Sequence, residues 1–209
     1  MALAIRRSPL ALALLALLAE EPMHPYRMQQ LIKQRHKDDV INVRLRASLY
    51  QTIERLLRGG LIEVQETERA ENRPERTIYR LTPEGDATAR QWLREMLAHP
   101  VNEFPEFPAA ISVMPLLPQE EVLALFIQRQ AALAVQIAEI DRKLGAITPY
   151  LPRLFLLEME HQRALLDAEW QWVGGVITDL QSGGLHWDDE WLAAQAAPPE
   201  EVMAALERV

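Results

Sequence analysis

The sequence predicts a mainly α-helical chain that carries one small β element and divides near residue 100 into two parts. Three observations predict it. Apolar residues recur at helical spacing through most of the 209 residues, only two short stretches read as strands, and a proline-rich run (Pro100, Pro105, Pro108, Pro115, Pro118) coincides with a reversal of charge. Residues 1–100 hold 16 of the 22 basic and 13 of the 30 acidic side chains, a balance of +3. Residues 101–209 hold 6 and 17, a balance of −11, the pattern expected when one part meets a polyanion and the other does something else.

Hydrophobic residues at 49% suffice for a buried core, and the net charge of −8 argues against coating nucleic acid over the whole surface. The absence of cysteine excludes disulfides, thiolate metal sites and thiol nucleophiles.

Arg6 and Arg7 followed by the apolar run Leu10 to Ala19 imitate a secretory signal. The run is too short to span a membrane and lacks a small-x-small cleavage site. It is opened by Ser8-Pro9, a cap followed by the residue preferred at the first helical position. A buried first helix from about Ser8 to Ala19, and a cytoplasmic protein, are therefore expected.

A second helix follows the Pro22 to Pro25 turn, with Met28, Leu31 and Ile32 inside and Lys33 outside. A third bears Leu45, Leu49, Ile53, Leu56 and Leu57 at helical spacing and stops at Gly59-Gly60. Opposite that line lie Ala47, Ser48, Gln51, Glu54, Arg55 and Arg58, side chains suited to phosphate oxygens and base edges. Residues 61–65 and 77–81 read as strands of a hairpin with a long charged tip. Thr82-Pro83-Glu84 then opens a helix carrying Ala87, Trp92, Leu93 and Leu97. Three helices, a ribbon and a closing helix make a winged helix-turn-helix over residues 1–100, in which the third helix can enter a major groove about 12 Å wide.

The segments His24-Pro25-Tyr26, Ala47-Ser48-Leu49-Tyr50 with Leu56 and Gly60-Leu61-Ile62, and Arg73-Pro74 through Tyr79-Arg80-Leu81-Thr82-Pro83-Glu84-Gly85 resemble the PadR family of transcriptional regulators over roughly residues 8–98. The resemblance implies a homodimeric DNA-binding protein, usually a repressor, that is dimerised by C-terminal helices and weakened on DNA by a small, often aromatic, effector. It places Ser48, Tyr50 and Gln51 on the recognition helix and Arg73 and Arg76 on the wing. With Lys33, Arg46, Arg55 and Arg58 these are the candidate DNA-contacting residues. The family commonly has Gly at Pro25, Ala47 and Asn72, and Pro at Gln51, so the operator cannot be inherited. Wing acids Glu66, Glu68, Glu71 and Glu75 weaken attraction to phosphate. A competing reading makes Arg55 and Arg58 a solvated face, and Tyr50 and Tyr79 packing residues.

Residues 101–209 read as an α-helical dimerisation and effector-binding domain. A helix from Pro118 to about Ile147 spaces Leu133, Ile137, Ile140, Leu144 and Ile147 as two heptads. After Pro149 to Pro152 a second long helix, about Arg153 to Gln181, lines up Leu154, Leu157, His161, Leu165, Ala168 and Trp172 before Gly183-Gly184. Seams this long leave apolar stripes exposed in a monomer, so burial against a second copy is expected. Trp170, Trp172 and His161 are the candidate effector-binding residues, with Trp187 and Trp191 nearby in sequence; the competing reading is ordinary packing. The tail, Trp187 to Trp191 followed by Pro198-Pro199 and a short helix from Glu200 to Val209, is acidic and amphipathic, suited to capping the dimer or to binding a partner.

Enzyme signatures are lacking: no phosphate-binding glycine loop, nucleophile elbow or His-Glu-x-x-His occurs. Glu158 and His161 imitate half of a carboxylate-bridged di-iron site, but the flanking Leu157 and Leu165 favour a buried structural histidine. No cofactor, metal or membrane partner is expected. The expected function is a ligand-responsive winged-helix regulator of double-stranded DNA; the alternative is a protein-interaction module using the winged helix and acidic tail.

Overall fold

In a computed structural model, described for residues 7–38, 40–43, 45–68, 76–195 and 208, the chain divides into two compact units, Met1–Asn102 and Glu103–Val209. The first unit comprises α1 (Pro9–Glu20), α2 (Pro25–Gln34), α3 (Arg46–Arg58), β1 (Ile62–Glu68), β2 (Arg76–Leu81) and α4 (Pro83–Ala98). This is the mainly helical architecture with a two-stranded wing that the sequence predicts.

The helix starts are chemically specified. Ser8 Oγ accepts the Ala11 N–H at 3.2 Å, His24 Nδ1 the Arg27 N–H at 3.1 Å, and Thr82 Oγ1 the Gly85 N–H at 3.0 Å, each followed by proline in the first turn. Such caps contribute about 1 kcal/mol each. α3 ends on Gly60 at φ +70°, with the Leu61 N–H reaching back to the Leu56 carbonyl at 3.0 Å. Thr82 hooks α4 to this turn by donating its hydroxyl to the Gly60 carbonyl at 2.7 Å.

One core serves the unit. Leu10, Ala11, Leu14, Leu15, Leu17 and Leu18 of α1 are buried, as the first-helix reading expects, against Met28, Ile32, Val43, Leu49, Ile53, Leu56, Ile62 and Trp92. Of the expected α3 line, Leu45 is 67% exposed, because it precedes the first helical residue, and Leu57 sits at the rim. On α4 only Trp92 of the four named residues is buried. The strands run longer than expected, since Glu68 pairs with Arg76 across the hairpin, with an irregularity between Val64 and Glu66.

The second unit comprises α5 (Glu106–Ser112), α6 (Gln119–Ile147), α7 (Leu157–Ser182) and α8 (Asp189–Gln195). α6 and α7 pack along Val122, Phe126, Leu133, Val173, Ile177 and Leu180. Trp187 closes the end, donating its indole N–H to the Leu117 carbonyl at 3.2 Å. α7 starts four residues later than expected, because Arg153–Phe155 form a separate 3₁₀ turn after Pro152. Its expected line turns away from α6 over most of its length: Leu154, Leu157 and Leu165 are 70, 44 and 60% exposed and form an uncovered apolar stripe, whereas Trp172, 47% exposed, turns its ring towards Phe126 of α6. By length and composition α6 could also cross a membrane, with mean hydropathy 1.2 over its most apolar window.

Candidate functional site

α3 presents the face the sequence assigns to DNA. Ala47, Gln51, Glu54 and Arg58 are exposed, Ser48 is half-buried, and Tyr50 is 50% exposed at the flank. Arg58 Nε leans back towards the Glu54 carbonyl at 3.4 Å, leaving the rest of the guanidinium to solvent. Arg55 differs: it is half-buried, and its Nε is fully covered with no hydrogen-bond partner among the described residues. Lys33 is exposed on the last turn of α2. Arg46 opens α3 and Arg76 opens β2, but their side chains lie outside the described residues, as does Arg73 altogether.

The frame around this face is tied at Tyr79. Met23, just before α2, forms a two-way main-chain bridge to Tyr79 on β2, and Gln29 Nε2 donates to the Val43 carbonyl at 3.2 Å to fix the turn between α2 and α3. Burial pushes the Tyr79 phenol above its ordinary range, and the neighbouring Tyr50 and Glu54 of α3 add to the shift. Val64 and Glu66 on the outer side of the wing are exposed, and Glu63 pairs with Arg80 at 2.7 Å.

The second unit holds a cleft that the sequence reading did not assemble. Phe107, Phe126 and Trp172 approach one another with ring centroids 6.1 to 6.4 Å apart, in edge-to-face and tilted arrangements. The Arg129 guanidinium lies 3.4 Å from the Phe107 ring centroid, and its Nε donates to Glu169 Oε1 at 2.6 Å. With Pro105, Glu106, Pro108 and Ile111, the residues Phe107, Arg129, Glu169 and Trp172 line an open cleft of about 590 Å³. A more apolar hollow adjoins it, sharing Phe107, Ile111 and Arg129.

The three expected effector residues are not brought together. Trp172 lines this cleft, whereas Trp170 lines another with Ile137, Asp141 and Asp167. His161 is exposed rather than buried, because it belongs to the outward stripe of α7. No group of three His, Asp or Glu side chains placed to hold a metal ion occurs among the described residues.

A winged helix with an exposed polar face on its third helix, joined to a unit of long helices, is an architecture found among transcriptional regulators. Residues 14–91 match the family model described as the transcriptional regulator PadR-like family. The family is one of transcriptional regulators rather than enzymes. Its fold is similar to that of Bacillus subtilis PadR in complex with operator DNA (TM-score 0.66, 16% identity, covering 83% of this chain and 99% of that one). It is similar also to the same protein in complex with p-coumaric acid (0.65, 16%, 82% and 98%) and to the Vibrio cholerae virulence activator AphA (0.63, 17%, 83% and 98%). No curated protein matches the chain.

Proposed function

We propose that this chain is a sequence-specific double-stranded DNA-binding regulator that acts as a homodimer in the cytoplasm, with a repressor's action relieved by a small effector. The observation that carries the reading is the outer face of α3, where Ala47, Ser48, Gln51 and Arg58 are left out of the core while Leu49, Ile53 and Leu56 fill it. Small, amide and guanidinium groups on one exposed helical face suit a major groove, and the wing beside it suits the flanking backbone. Two copies would place two such helices about 34 Å apart for adjacent half-sites.

The uncovered stripe of α7 supports dimerisation through the second unit, residues 103–209. Asp141, Arg142 and Lys143 within α6 favour a helix seam over a bilayer for that apolar helix. The effector reading draws support from the aromatic cleft and from the relative that was solved with p-coumaric acid. Repression is favoured by the family resemblance, although one similar structure is that of an activator.

The test is an electrophoretic shift with a duplex from the protein's own upstream region against an unrelated duplex of equal length. Selective retardation supports the reading; equal retardation, or none, moves the protein-interaction module to first place.

A further inference from the structure

We propose that the cleft between Phe107, Arg129, Glu169 and Trp172 is the effector site and that it takes a planar organic cation, such as an aromatic ammonium or amidinium. The effector role rests on the proposed regulatory function; the affinity for a cation does not.

A volume of about 590 Å³ falls within the range of small-molecule sites. The faces of aromatic rings carry the negative end of their quadrupole, and this site already accommodates a cation, since the Arg129 guanidinium sits over Phe107 at 3.4 Å. Trp172, 47% exposed, still offers ring surface to the cleft.

The charges decide the sign of the ligand. Two carboxylates, Glu106 and Glu169, line the cleft against one guanidinium. Arg129 directs both Nε and Nη2 to the same oxygen, Glu169 Oε1, at 2.6 and 2.5 Å. Glu169 Oε2 and the exposed Glu106 carboxylate therefore remain unspent among the described residues. An anion would meet both of these oxygens as repulsion, whereas a cation meets them as partners. The balance of −11 over residues 101–209 adds repulsion to an anion and attraction to a cation. The apolar hollow that shares Phe107 and Ile111 takes a hydrocarbon extension of the ligand.

Occupancy has a mechanical consequence. Arg129 stands on α6 and Glu169 on α7, so a cation seated on Phe107 and Glu169 competes with the residue that ties the two helices together. The sign is opposite to that of p-coumaric acid, the carboxylic acid bound by the B. subtilis relative.

The experiment is titration calorimetry of the full-length protein with 1-methylquinolinium, the similarly sized anion quinoline-2-carboxylate, and p-coumaric acid. The cation is expected to bind roughly tenfold or more tightly than either anion, and more weakly as salt rises. Glu106→Gln and Glu169→Gln should each weaken it by roughly threefold or more, Trp172→Leu by roughly tenfold, and Trp170→Leu not at all. Glu106 is exposed, and its side chain makes no hydrogen bond or ion pair among the described residues, so that variant tests the site with little cost to folding. Anions binding as well as the cation, no binding of the cation, or cation binding indifferent to all three cleft variants would overturn the assignment. Operator binding measured on the same preparation separates the two readings: selective DNA binding without cation binding defeats the cleft alone, and the converse defeats the regulatory reading alone.

Discussion

Met23 and Tyr79 exchange both of their main-chain hydrogen bonds, each 3.1 Å long, so the residue that leads into α2 is also a rung beside the wing. The helix-turn-helix and the wing are thereby set by one short bridge, and Tyr79 adds a side chain that neighbours Tyr50 and Glu54 of α3. Met23→Pro removes one donor of this pair and leaves the Tyr79 carbonyl without it. Met23 is also buried in the core, so a loss of about 2–5 kcal/mol is expected, read from the urea midpoint.

The Tyr79 phenol gives this arrangement a pH signature. Its folded pKa is raised above the unfolded value, chiefly by burial and then by Tyr50 and Glu54. The stability it contributes is present in full below the ordinary phenol pKa and is lost as pH rises through the raised folded value. Thermal unfolding between about pH 9 and 11 should fall more steeply for the wild type than for Tyr79→Phe. Parallel curves would remove the phenol from the account.

Gly85 is required by close approach. A β-carbon there would meet the Leu61 carbonyl oxygen at 1.9 Å and Leu81 Cδ1 at 2.8 Å, and the first of these is backbone. Gly85→Ala must push the start of α4 away from the wing, straining the Thr82 cap as well. We expect destabilisation of about 2–3 kcal/mol, the upper part of the range for overpacking, measured by chemical denaturation.

Much of this frame is legible in the sequence because its chemistry is local. Ser8-Pro9, Thr82-Pro83 and Gly59-Gly60 announce helix ends, and the polar face of α3 follows from a helical wheel over Ala47, Gln51 and Arg58. Long-range partners are another matter. Arg129 meets Phe107 and Glu169 from 22 and 40 residues away, and no periodicity announces such a meeting. On α7 two apolar lines compete. Leu154 to Trp172 is the more continuous, yet Val173, Ile177 and Leu180 turn to α6, where Gly174 admits the Gln130 side chain: a β-carbon there would lie 2.5 Å from Gln130 Nε2. His161 shares the outward line with Leu157 and Leu165, so these flanking leucines do not bury it within one chain. The left-handed His36, at φ 52° after α2, carries no signal of that kind either, since glycine or asparagine would be the usual choice.

The outward stripe of α7 predicts the assembly state. Leu157→Glu with Leu165→Glu places two charges on a face already exposed in one chain, so each chain should fold with little change in helical content. Sedimentation equilibrium should then return a monomer where the wild type is a dimer. A wild type that is itself monomeric at tens of micromolar, or a variant that stays dimeric, removes the stripe from the interface.

On the proposed DNA face, Arg58 carries the cleaner substitution. It is exposed, whereas Arg55 is half-buried and its reversal would perturb packing too. Arg58→Glu should weaken operator binding by about tenfold to a hundredfold while leaving the thermal transition within a degree or two. Unchanged affinity would place Arg58 on a merely solvated surface.

The most direct test of the central claim is the salt dependence of binding to a duplex from the protein's own upstream region, followed by fluorescence anisotropy with an unrelated duplex as control. Tight, selective binding is expected, with a log-log slope corresponding to several released counterions and a slope smaller by about one in Arg58→Glu. Weak binding, equal on both duplexes and with equal slopes, would contradict it.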